Sequence, residues 1–86
     1  MLKSEDFNKL KIRPSKHFIL GWMRKWSWDD LDIRNELTEC YKIEKVGKNK
    51  YEVYTRNGAK NGSKKIILVM DEEYQEVFII TGAEGK

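Results

Sequence analysis

The hydrophobic period of this chain changes once, near Tyr41, and that change constrains the fold more than any single motif. Before Tyr41, apolar residues recur three and four apart; after it they alternate, or run unbroken through short segments. A chain divided this way predicts helices first and an antiparallel sheet afterwards, an α+β architecture. Its 86 residues form one domain, 1–86, near the lower size at which a single core is stable without staples.

Pro14-Ser15 marks the start of the first helix, with Ser15 as N-cap, and the pattern carries it to about Trp26. On that helix Phe18, Ile19, Trp22, Met23 and Trp26 share one side, while His17, Gly21 and Arg24 share the other. Ser27-Trp28-Asp29-Asp30 reads as the next start, a capping serine with an acid three positions on. The second helix then reaches about Tyr41, with Ile33, Leu37, Cys40 and Tyr41 as its stripe. Packed as a two-helix hairpin, the pair covers one face of a sheet.

Four strands follow in meander order: YKIEKV, KYEVYTR, KKIILVMD and EVFIITG. Gly47-Lys48-Asn49 is a three-residue hairpin turn, 57–63 a loop, and DEEYQ a turn. Residues 1–13 carry little pattern, although LKIR at 10–13 has the makings of a short edge strand. The simplest register sets Ile43 opposite Val53 and carries Ile67, Val69, Phe78 and Ile80 to the helix side. Ile66, Leu68, Met70, Val77 and Ile79 then join Lys50, Tyr54 and Arg56 on an outer face, half apolar and half basic. A slip of one residue reverses every one of these assignments. An outer face of that composition calls for cover by a second subunit, another chain or the N-terminal segment.

Charge is blocked along the chain. Residues 1–28 hold seven Lys/Arg and two Asp/Glu, and 41–65 hold eight and two; 29–40 and 66–86 each hold one and five, leaving a net +3. Basic blocks face phosphate or act as solvated surface. One cysteine makes no internal disulfide, and one histidine with one cysteine makes no ordinary zinc site, so neither metal nor cofactor is expected. Cys40 reads as a small buried hydrophobe. With neither a signal-peptide pattern nor an apolar run of membrane-spanning length, the expected setting is cytoplasmic, without membrane contact.

His17 on a first helix, Met23-Arg24 seven residues on, KVGKNKYEVY (45–54), KKIILV (64–69) and IITG (79–82) together resemble the RelE/ParE-like toxin families. The likeness runs over residues 7–85 and is nearest to an uncharacterised small-domain branch of that group. It implies a RelE-like fold, a metal-independent endoribonuclease activity in which the RNA's own 2′-hydroxyl attacks, and an antitoxin-like partner. It also implies that Thr81 supplies a hydroxyl at the site. The chain departs from the RelE type in ending ITGAEGK, with no aromatic residue after Phe78.

Such cleavage needs a base, an acid and positive charge at the phosphorane. His17 is the one side chain whose unperturbed pKa lies near neutrality, and Arg24 offers a planar fork for phosphate. Lys50, Tyr54 and Arg56 offer stacking and phosphate contacts suited to single-stranded RNA. Each residue also has a plainer reading. His17 serves as a surface or capping residue, Arg24 as a partner of Asp29 or Asp32, and Trp22 with Trp26 as core. Thr81 suits a strand on propensity alone, and Asp29, Asp30 and Asp32 suit a helix N-terminus better than magnesium. Trp28 has no place in either reading. The alternative function is therefore a non-catalytic module that binds RNA, an antitoxin-like protein or a second copy through its outer sheet face.

Overall fold

The computed structural model describes residues 2–55 and 64–84. A 3-10 turn, Ser4–Asn8, leads into strand β1, Lys11–Pro14. Helix α1 covers 16–26 in three pieces: Lys16–Phe18, a π turn Ile19–Met23, and Arg24–Trp26. Helix α2, Asp30–Thr38, precedes strands β2 (Lys42–Gly47), β3 (Lys50–Thr55), β4 (Lys64–Asp71) and β5 (Glu76–Glu84).

The five strands form one sheet in the order β1-β5-β4-β3-β2. Strands β2 to β5 pair antiparallel with their neighbours, and β1 joins β5 in parallel. The architecture is thus α+β, two helices with a mixed five-stranded sheet. The expected edge strand at LKIR is present one residue further on, as Lys11–Pro14, and it ends in Pro14, whose missing N–H suits an edge.

Ser15 behaves as its position predicts. Its Oγ accepts the Phe18 N–H at 3.1 Å and donates to the Ile80 carbonyl at 2.8 Å, pinning the start of α1 to β5. Ser27 does not cap α2. It adopts left-handed φ 59°, ψ 43°, and the Trp28 N–H donates to the Met23 carbonyl while the Ser27 N–H donates to Arg24, a Schellman closure of α1. A residue in that conformation cannot also be an extended N-cap. Asp29 takes the role: its Oδ1 accepts the Asp32 N–H at 2.8 Å, and Asp32 Oδ2 accepts the Asp29 N–H at 3.0 Å. Helix α2 ends at Thr38 rather than Tyr41, because the Tyr41 N–H already donates to the Tyr54 carbonyl of β3 at 3.0 Å. The β2–β3 connection is two residues, Lys48-Asn49, with Asn49 at φ 61°, one residue shorter than expected.

Ile43 faces Val53 as the simple register predicts, but β4 and β5 sit the other way round. Val53 pairs with Ile66 and Tyr51 with Leu68, so Ile66, Leu68, Val77 and Ile79 carry the buried face. The outward positions Ile67, Val69 and Phe78 are half-buried. The expected loop 57–63 lies outside the described residues, and the register carried across it from β3 differs by one residue from the structure, because a stretch apolar on both faces gives no signal to fix it. A bulge beside Ile67/Leu68 admits Ile80 as an extra residue in β5, just where β1 ends against Ile79.

The core lies between the helices and the inner sheet face. Phe18 and Met23 of α1 and Ile33 and Leu37 of α2 meet Val53 and Ile66. The N-terminal segment also enters it: Phe7 and Leu10 are buried, and Arg34 Nη1 donates to their carbonyls at 2.6 and 3.1 Å. A guanidinium thus satisfies one acceptor in the short 3-10 turn and one just beyond it.

Candidate functional site

His17 lies exposed on the first turn of α1 and Arg24 exposed on its last. A seven-residue step returns an α-helix nearly to the same side, but the π turn between them inserts wider spacing and rotates Arg24 away from His17. The buried positions record the change, Phe18 and Met23 being five residues apart. Gly21, inside the π turn, has no atom within 4 Å of where a Cβ would stand, so packing within the chain does not require it.

Among the described residues Arg24 takes no carboxylate. The ion pairs among the described residues are Arg13–Glu76 at 3.1 Å, Lys25–Glu84 at 3.4 Å and Lys65–Glu52 at 3.8 Å. Asp29 and Asp32, its expected partners, are held in their capping box. Thr81 lies beyond the β5 bulge, half-buried, and its Oγ accepts the Trp22 Nε1–H at 3.2 Å. Among the described residues no hydrogen bond joins His17, Arg24 and Thr81. Three cavities, of about 300, 350 and 190 Å³, are lined by other residues.

Around Thr81 an aromatic cluster explains the tryptophans. Trp22 and Trp26 meet with tilted rings, centroids 5.0 Å apart, Trp26 and Trp28 likewise at 4.7 Å, and Lys25 lies 5.1 Å from the Trp22 ring centre. The Trp26 indole N–H and Lys25 both donate to Glu84, which holds that carboxyl below its ordinary range. Gly82 makes the docking possible, since a Cβ there would stand 2.9 Å from Trp26. Trp28, unplaced by its sequence, is a core residue, and its Nε1 finds no acceptor among the described residues.

The outer sheet face is the other candidate surface. Lys50 and Tyr54 lie on it as expected, and Arg56 falls outside the described residues. The Tyr54 phenol donates to Glu52 at 3.0 Å and to Glu44 at 3.5 Å, and Lys42 lies 5.1 Å from its ring centre. The hydrogen bond to Glu52, aided by both carboxylate charges, pushes the phenol pKa up to about 12. Across the sheet Arg13 covers the Phe78 ring at 5.0 Å while paired to Glu76. Between these two charged clusters Ile67 and Val69 lie beside Phe78 on the face opposite the buried residues, each half-buried.

Burial raises the Cys40 thiol above its ordinary pKa, the opposite of what a nucleophile needs. Among the described residues no group of three His, Cys, Asp or Glu is placed to hold a metal, and no helix is long and apolar enough to cross a membrane. Comparison with protein-family models, curated proteins and solved structures finds no match.

Proposed function

We propose that this chain is a non-catalytic binding module of RelE-like α+β architecture that takes a protein partner on its outer sheet face. One observation carries the reading: Ile67, Val69 and Phe78 form a half-buried apolar centre on the sheet face away from the helices, flanked by the ion pairs Arg13–Glu76 and Lys65–Glu52. An apolar centre with a polar rim is the anatomy of a protein interface. A strand of RNA is a poorer match, because aliphatic side chains do not stack bases and Arg13 and Lys65 beside this centre are already paired with carboxylates. Selection from a displayed peptide library tests the reading. Binders that lose the protein on Val69→Asp, with its circular dichroism unchanged, support it; binders indifferent to that change refute it.

The endoribonuclease is a second reading, favoured by one feature: residues 16–26 contain Lys16, His17, Arg24 and Lys25 and no acid. In it His17 acts as base on the 2′-hydroxyl, Arg24 holds the phosphate and Thr81 lends a hydroxyl. Labelled single-stranded RNA in EDTA decides. Cleavage leaving 2′,3′-cyclic phosphate ends, absent with His17→Ala, establishes this reading; intact RNA, or equal cleavage by both proteins, removes it.

A further inference from the structure

The two helices expose unlike surfaces. On α1, Ile19 and Leu20 are 43% and 53% exposed, between Lys16 and His17 on one side and Arg24 and Lys25 on the other. On α2, Leu31 is 65% exposed beside Asp30, with Glu39 at the far end. One helix is therefore apolar and basic, the other apolar and acidic. Lys25 pairs with Glu84 of β5, but none of the ion pairs among the described residues joins α1 to α2.

Next to Leu31 runs a groove of about 350 Å³ between β1 and α2, floored by Ile12, Pro14 and Ile33 and edged by Asp30 and Arg34. It has room for aliphatic side chains and a carboxylate at its rim. Ile19 and Leu20 are aliphatic, exposed and flanked by cations, so the chain carries both the groove and the side chains that fit it.

We infer that the helical face is a homodimer interface, α1 of each copy lying on α2 and its groove in the other about a two-fold axis. The symmetry follows from the charges. Pairing α1 with α1 sets Lys and Arg against Lys and Arg, and pairing α2 with α2 sets acid against acid. Only the crossed arrangement opposes unlike charge at both halves, and a two-fold repeats the same favourable contact twice. Ile19 and Leu20 enter the partner copy's groove as anchors. Gly21, with open space before it, leaves the exposed side of α1 low enough for that approach. This interface is separate from the outer sheet face and leaves it free.

Sedimentation equilibrium of the full chain, at low and high salt, tests the inference. The expected mass at low salt is twice the 10.2 kDa of the chain, falling toward one as salt screens the charges. Leu20→Asp should return the mass to one chain with unchanged circular dichroism. Two charge-block variants make the test specific. Lys16→Glu with Arg24→Glu, and Asp30→Lys with Glu39→Lys, should each be monomeric alone and form a one-to-one dimer when mixed, because mixing restores unlike charge at both contacts. A monomeric wild-type protein overturns the inference. So does a dimer indifferent to these variants, a mixture that stays monomeric, or a dimer lost on Val69→Asp but kept on Leu20→Asp.

Discussion

The two faces of the sheet are made from nearly the same residues and have opposite fates. Ile66 and Leu68 of β4 are fully buried under the helices; Ile67 and Val69, their immediate neighbours, remain half-open. Composition barely distinguishes them, because KKIILVMD runs apolar without a break from Ile66 to Met70. What distinguishes them is which face received α1 and α2. Apolar surface left uncovered beside a completed core points outward, to a partner, and that difference underlies the functional proposal.

The comparison breaks most visibly under truncation. Leu68→Ala should cost about 2–5 kcal/mol as a cavity in the buried face. Val69→Ala, one residue along, should cost less, about 1 kcal/mol, since its side chain is half-buried rather than enclosed. Urea titration reads both, and equal losses would mean that the outer face is as enclosed as the inner. A glycine pair sharpens the same contrast. Gly82→Ala drives a Cβ to 2.9 Å from Trp26 and should cost about 1–3 kcal/mol, whereas Gly21→Ala enters open space and should stabilise by up to about 1 kcal/mol in thermal unfolding.

Smaller effects separate the caps. Asp29→Ala should lose about 1 kcal/mol in urea unfolding, while Ser27→Ala should lose far less, because Asp29, not Ser27, holds the first turn of α2. The smallest effect is on the outer face. The Tyr54 phenol, raised from 10 to about 12 by donation to Glu52, favours the folded state below pH 10, and that contribution disappears as pH rises through about 12. Ultraviolet titration should show a late-titrating tyrosine that moves back toward 10 on Glu52→Gln.

The sequence made the α+β division legible, along with the Ser15 start, the end of α1 at Trp26 and the strand positions, because period and turn residues report them directly. Three features stayed hidden for physical reasons. The π turn in α1 has no residue signature, so the shared side assigned to His17 and Arg24 rested on a regular helix that is not there. The register of β4 and β5 was invisible because both faces are apolar and the β5 bulge is set by where β1 ends. The N-terminal segment is patternless because Phe7 and Leu10 are buried from a 3-10 turn and the bend after it, whose carbonyls depend on distant Arg34. Candidate site residues were legible as exposed cations and an imidazole, but whether they act together depends on the very phase the π turn changes. Trp28 was legible only once Schellman closure at Ser27 had turned it inward.

The claim on which the functional proposal rests is that Val69 faces solvent while Leu68 faces the core. Thiol labelling measures it directly, with Cys40→Ser as background and a single new cysteine at each position in turn. Val69→Cys should react with a maleimide in the native state at the rate of an accessible thiol, and Leu68→Cys only when the protein unfolds. Fast labelling at Leu68→Cys with protection at Val69→Cys would restore the reversed register and contradict the account.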